Sequence, residues 1–173
     1  MEIKYRRPFD GDYPVSFSFG QAPDWYIQNA GYPHNGADFP LPDGTAIRAI
    51  DNGVVIEFGN TPSGWGLYVR IEHKWGISHY AHLSKIVVKQ GQTVGTSELL
   101  GFSGHSGWSI GPHLHFGVKI NGHQDREMHD WADPVIGFVP AEVMEGQPLK
   151  MYSGDTVIKC PNCGTCFAIE KGV

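Results

Sequence analysis

The stretch Gly66-Leu67-Tyr68-Val69-Arg70-Ile71-Glu72 alternates apolar and polar side chains from Leu67 onward. A strand turns successive side chains to opposite faces, so this is the pattern of a strand with one face buried. Val15-Ser16-Phe17-Ser18-Phe19 alternates in the same way. Thr45 to Ile50, Val54 to Phe58, Ile77 to Leu83, Ile86 to Val88 and Leu114 to Ile120 also read as short strands. Turn residues separate them: Pro42-Asp43-Gly44, Asp51-Asn52-Gly53, Pro62-Ser63-Gly64, Gly91-Gln92 and the run from Gly104 to Gly107. No window of twelve or more residues keeps a 3.6-residue period without Gly or Pro. The expected fold class is mostly β, built on a small antiparallel sheet.

Composition agrees. The chain has 173 residues, of which 40% are hydrophobic and 12% aromatic, ample for a core. With 23 Gly and 12 Pro it is rich in turn formers, and with 18% charged residues it is poor in the charge that long solvated helices carry. Thirteen basic residues against 18 acidic ones leave a net charge of −5, which argues against nucleic acid as a partner. No stretch approaches the length of a membrane span. No apolar run follows Met1-Glu2-Ile3-Lys4-Tyr5-Arg6-Arg7-Pro8, so no signal peptide is expected. The expected organisation is an N-terminal segment over 1–14, the β domain over 15–140, a linker over 141–150 and a tail over 151–173.

Nine histidines are the oddity in so charge-poor a chain. Three clusters stand out: His34-Asn35-Gly36-Ala37-Asp38, His79-Tyr80-Ala81-His82-Leu83 and Gly111-Pro112-His113-Leu114-His115-Phe116. His-x-His on a strand puts both imidazoles on one face. A His and an Asp four apart can converge on extended backbone leaving a turn. Two His and one carboxylate with an open position form the ligand set of a catalytic zinc. A single histidine on a strand is more often structural; the joint order of the clusters is what carries weight.

That order resembles the lysostaphin/LytM-type zinc peptidoglycan endopeptidases. The resemblance rests on His34-x-x-x-Asp38, on Tyr80-Ala81-His82-Leu83, and on Ser103-Gly104-His105-Ser106-Gly107 running into Gly111-Pro112-His113-Leu114-His115-Phe116. Asp43 to Ala49, Asp51 to Val55 and Val88 to Val94 match the family's core as well. It implies His34, Asp38 and His115 as ligands of one catalytic zinc. It implies His82 and His113 as a catalytic pair that handles the attacking water and stabilises the tetrahedral intermediate. It implies long loops walling a narrow groove, in the duplicated-hybrid-motif type of sheet. A tyrosine often supports the oxyanion in this family, and Tyr26 and Tyr32 are both candidates.

The chain departs from the family at Gly117, where Glu commonly follows His-Phe, and at Ile110, where Thr commonly precedes Gly-Pro. His79, where the family is usually apolar or small, is read as a strand residue at the edge of the site. His105, in the Gly-rich loop, is a candidate substrate contact. His73, His123 and His129 carry no spacing signal. Trp25, Tyr26, Trp65, Trp75 and Trp108 are read as core and groove wall.

All cysteines fall in the tail. Cys160-Pro161-Asn162-Cys163-Gly164 has zinc-knuckle spacing, with Cys166 as a third thiol. A closed site needs four ligands, so the tail resembles half a zinc ribbon. A second, structural zinc completed by a histidine or by another chain stands beside the alternative of an exposed reduced tail.

The expected function is a zinc metallo-endopeptidase that hydrolyses cross-bridge or stem-peptide bonds of bacterial peptidoglycan. The absence of a leader favours a phage-type lysin or virion-associated hydrolase, made in the cytoplasm and acting on the cell wall as a monomer. The alternatives are a non-catalytic LytM-like activator or structural tail module, and a zinc hydrolase of soluble peptides.

Overall fold

The computed structural model describes residues 3–121 and 130–138, and the backbone of Ile158–Lys159 and Cys166–Phe167. The chain divides into two compact units, Arg7–Ile136 and Met1–Arg6 with Gly137–Val173.

The larger unit is an antiparallel sheet of nine described strands: β1 (Ala37–Phe39), β2 (Ala46–Arg48), β3 (Gly53–Thr61), β4 (Gly66–His73), β5 (Gly76–Ile86), β6 (Thr93–Val94), β7 (Leu99–Ser103), β8 (Leu114–Ile120) and β9 (Trp131–Ala132). The main path runs β1-β8-β5-β4-β3-β6; β9 pairs with β8, and β7 joins β2 to β5. The alternation that defines β4 is realised in space, with Val69 and Ile71 fully buried and Glu72 exposed between turns of the pattern. Tyr80 and Phe116 are register partners whose rings meet at 5.3 Å, on the core side of β5 and β8. Val69, Ile71, Leu83, Leu100, Leu114 and Val118 complete this core without measurable exposure.

β5 decides where a site can form. Its first half, Gly76 to Ala81, pairs with β8. Its second half, Leu83 to Ile86, pairs instead with β7. His82 stands between the two, with φ 59°. That left-handed backbone is uncommon for a side-chain-bearing residue and turns the strand from one neighbour to the other. The fork leaves a cleft beside the end of β8.

A short helix, α1 (Asp24–Ala30), borders the cleft. It spans seven residues and ends on Gly31, whose φ of 81° forms the left-handed cap. At seven residues it is too short for a helical period to register in the sequence, and β1, β6, β7 and β9 also lie outside the expected strands. Val15 to Phe19, expected as a strand, forms only the bridge Phe17↔Asp38. Its Ser18 gives its backbone to side chains, N–H to Gln21 Oε1 at 2.8 Å and C=O to His34 at 3.0 Å, instead of to a ladder. Ile86 closes β5, and Val87 and Val88 lie outside any strand.

Pro8 and Phe9 pack within the larger unit: Arg48 N–H donates to Pro8 O at 2.7 Å, and Phe9 lies 5.0 Å from the Phe39 ring. In the other unit Tyr5 bridges Phe138 in parallel and its N–H reaches Gly137 O at 2.8 Å. There, too, β10 (Ile158–Lys159) pairs with β11 (Cys166–Phe167), and Lys159 is the register partner of Cys166. Cys160 and Cys163 lie outside the described residues, as do the Cys166 side chain, His123 and His129.

Candidate metal centre

Three elements bring the first ligand group together. Asp38 on β1 is the register partner of His115 on β8, so both side chains leave the sheet on the same face. His34 precedes β1 and is held by backbone bonds in both directions: its N–H donates to Gln21 O and its C=O accepts from Gly20 N–H, at 2.9 and 2.8 Å. Its Nδ1 lies 3.0 Å from Ser18 O. A carbonyl only accepts, so the proton sits on Nδ1 and Nε2 is left with a free lone pair. Phe17 backs the ring at 4.6 Å.

The three donor atoms form a nearly equilateral triangle. His34 Nε2 to His115 Nδ1 is 3.0 Å, His115 Nδ1 to Asp38 Oδ1 is 3.0 Å, and His34 Nε2 to Asp38 Oδ1 is 3.1 Å. Donors about 2.0–2.1 Å from a tetrahedral ion stand roughly 3.3 Å apart, so the triangle fits zinc with little movement. It is also the one group of such residues among those described that can hold a metal ion. Burial by itself would raise the Asp38 carboxyl, but the imidazoles of His115 and His34 that converge on it outweigh this and hold it well below the usual carboxylate range. The carboxylate is therefore ready as an anionic ligand.

His82 and His113 form the second group. His82 projects from the fork in β5, and its Nδ1 lies 2.8 Å from Ser106 O. His113 enters at the head of β8, with Nδ1 2.9 Å from Gly111 O and 3.2 Å from Ser109 Oγ. Each carbonyl fixes the proton on Nδ1 and leaves Nε2 as the basic nitrogen. The two rings lie 4.5 Å apart, and His113 Nε2 is 3.8 Å from Asp38 Oδ2. Burial above all, then the neighbouring His115 and His113, pushes the His82 imidazole down to about 3. His82 is therefore neutral at neutral pH.

Ser106 owes its place to two close backbone approaches. Gly66 and Gly107 both have positive φ, and a Cβ on Gly107 would stand 2.2 Å from Gly66 N. The loop is thereby locked onto the start of β4, where Trp108 N–H also donates to Gly64 O at 2.7 Å.

Both groups line one groove of about 490 Å³, walled by Phe17, Trp25, Tyr26 and Tyr32 and by Gly64, Trp65 and the stretch from Trp108 to Pro112. Tyr26 packs edge-on against His34 at 5.6 Å and stacks on Trp108 at 5.5 Å. Burial pushes its phenol up, with Tyr32 and Asp38 adding to the effect; burial raises Tyr32 as well. Both phenols therefore stay protonated donors.

The remaining candidates separate. His105 is exposed and does not line the groove. His79 is not at the rim but fully buried behind His115, against Trp65 and Trp131. His73 is structural: its nitrogens meet Asn52 O and Ser78 Oγ, far along β4 from the groove. Trp75 stacks on His73 in the core, whereas Trp25 and Trp108 are exposed at the groove mouth. Gly111 and Ser106 stand within the motifs quoted above, but the part their carbonyl oxygens play in setting the tautomers, and the contact of Ser109 Oγ with His113, were not legible there. Their only signal was a Ser- and Gly-rich run before the His-x-His strand.

The fold and the triangle define a zinc-peptidase type of site, and known proteins agree. Residues 32–126 match the model of peptidase family M23, and the chain belongs to that family. The peptidoglycan DD-endopeptidase ShyA of Vibrio cholerae is 38% identical over 118 residues, which are 68% of this chain and 27% of that protein. The chain thus spans about a quarter of that relative's length. The catalytic domain of lysostaphin from Staphylococcus simulans superposes with a TM-score of 0.62 at 31% identity, covering 71% of this chain and 90% of that one. A zinc-containing peptidase from Vibrio cholerae gives 0.63 at 31% identity, covering 76% and 39%.

Proposed function

We propose that this chain is a zinc-dependent endopeptidase that cleaves peptide bonds in bacterial peptidoglycan. The observation that carries the reading is the pairing of two groups across one groove: a triangle of donors at about 3 Å, and two imidazoles whose basic nitrogens are fixed by backbone carbonyls. The relatives' named substrates supply the substrate class. Zinc, when bound, lowers the pKa of water and polarises a carbonyl.

The chain's residues divide the remaining work. His34 Nε2, Asp38 Oδ1 and His115 Nδ1 would hold the ion. His82 Nε2 accepts the proton of the attacking water, its lone pair left free by the bond of Nδ1 to Ser106 O. The proton taken up by His82 passes on to the leaving nitrogen, while His113, anchored by Gly111 and Ser109, offers a second Nε2 lone pair that accepts a hydrogen bond from the attacking water and orients it. Tyr26, beside His34 and kept protonated by burial, donates to the oxygen on which negative charge develops. The aromatic walls leave room for an extended peptide with small side chains.

The setting proposed is that of a phage-type lysin or virion-associated wall hydrolase. A net charge of −5 gives no long-range pull toward anionic wall polymers, which suits delivery at high local concentration. Digestion of purified walls of two cross-link chemistries, followed by mass analysis of the fragments, tests the reading. New amino termini within the peptide, with glycan strands intact, are expected. A fully zinc-loaded protein that releases no peptide fragment from either wall would overturn it.

A further inference from the structure

Two buried side-chain atoms among the described residues lack a hydrogen-bond partner: His79 Nε2 and His115 Nε2. They belong to neighbouring rings. His115 pairs with Ala81 and His79 with Gly117 across β5 and β8, so the two imidazoles are diagonal neighbours on one sheet face, with centroids 6.0 Å apart and planes at 73°. Gly117 leaves this face open above the strand, and Trp131 fills the space: a Cβ on Gly117 would stand 2.7 Å from the Trp131 ring.

His79 is held with care for a residue outside the groove. Arg70, its register partner on β4, donates Nε–H to His79 Nδ1 at 3.2 Å. Arg70 is itself fixed by Glu57 at 2.8 Å and lies over the Trp65 ring at 4.8 Å. A guanidinium only donates, so His79 Nδ1 is the acceptor and the neutral ring carries its proton on Nε2. His115, offering Nδ1 to the metal, carries its proton on Nε2 too. Two N–H groups cannot bond to each other. One oxygen with two lone pairs satisfies both, and a ligating histidine ordinarily donates its outer N–H to such an acceptor.

We propose that a single buried water accepts from His79 Nε2 and His115 Nε2, and that His79 is thereby a positioning residue that holds the metal ligand His115 in its ligating orientation. The inference rests on the zinc reading above.

The test compares wild type, His79→Gln and His79→Phe. Zinc affinity is measured by competition with a chromophoric chelator, and thermal unfolding of each metal-free protein is recorded. Glutamine can keep a donor near the Nε2 position; phenylalanine keeps only bulk. His79→Phe should bind zinc about 10-fold more weakly, at the lower end of losses from outer ligand partners, while His79→Gln stays within about 3-fold of wild type. Equal affinity in wild type and His79→Phe overturns the proposal, as does an equal loss in both variants that tracks their metal-free stability. Should His79→Phe not fold, a high-resolution structure of the zinc-loaded wild type decides, since a water within hydrogen-bond distance of both Nε2 atoms is required and its absence overturns the proposal. Wild type that binds no zinc would instead strike down the metal reading itself, and this inference with it.

Discussion

His82 and His113 face each other with ring centroids 4.5 Å apart, and both turn Nδ1 away onto backbone carbonyls, of Ser106 and Gly111. The pair comes from distant parts of the chain, one from a fork in β5 and one from the head of β8. The shared tautomer leaves two basic Nε2 atoms beside the metal triangle. His82→Ala and His113→Ala should each lower turnover about 10²–10⁴-fold, the span of a lost general acid or base. Neither residue is a ligand in this account, so both variants should keep their zinc. Metal analysis together with turnover on defined muropeptides checks the two halves of the statement.

Tyr26→Phe removes the phenol proposed to meet the developing negative charge. Loss of one such donor costs about 10²–10³ in turnover. The rate constant should fall while KM and zinc content stay near wild type, and Tyr32→Phe should have the smaller effect. Steady-state kinetics on one soluble peptide substrate measures the difference.

Acid should destabilise the metal-free protein before it reaches the range where carboxylates titrate. Burial, with His115 and His113, holds His82 at about 3 in the folded state, against an ordinary 6.5. Between these values the unfolded chain binds the extra proton, so stability rises with pH. The contribution is fully present above about 6.5 and is lost as pH falls toward 3. At pH 5 the loss from His82 alone is about 2 kcal/mol. Burial lowers His73, His79 and His115 in the same direction, so the fall should be steeper than one residue gives. Denaturant melts of metal-free protein between pH 7.5 and pH 5 record it.

Gly107→Ala tests the lock between the loop and β4. The new methyl would meet Gly66 N at 2.2 Å and Gly64 O at 2.3 Å, on a backbone with φ of 77°. A loss of about 2 kcal/mol or more is expected, from the clash and the left-handed strain together. Ser106 is the adjacent residue and anchors His82, so turnover should fall beyond what the unfolded fraction explains. Melting curves and rates measured well below the transition separate the two effects.

Much of this site is legible in the residues, and the limits have physical causes. The Leu67–Glu72 alternation marks β4 because one of its faces is core. His113-Leu114-His115 marks a strand face because period two is unambiguous there. β1 and α1, at three and seven residues, are too short for periodicity to register; they are fixed by pairing with β8 and by the Gly31 cap. The bend of β5 at His82 is invisible in Tyr80-Ala81-His82-Leu83, because it follows from a change of strand partner far away in sequence. His79, a departure from the resembled family, reads in the sequence as a strand residue at the edge of the site. Its burial depends on Gly117, Trp131 and Arg70 arriving together on one sheet face, a three-body arrangement that spacing along one strand does not encode.

Peptide-bond hydrolysis is proposed to depend on one ion held by His34, Asp38 and His115. Its most direct test is a zinc titration of metal-free protein, read as peptide fragments released from purified peptidoglycan, with His115→Ala alongside. Activity should be absent without metal, rise in proportion to added zinc and level off at one ion per chain, while His115→Ala neither retains zinc nor gains activity. Full activity in the metal-free protein, or a His115→Ala variant that still binds zinc tightly and releases fragments, would contradict it.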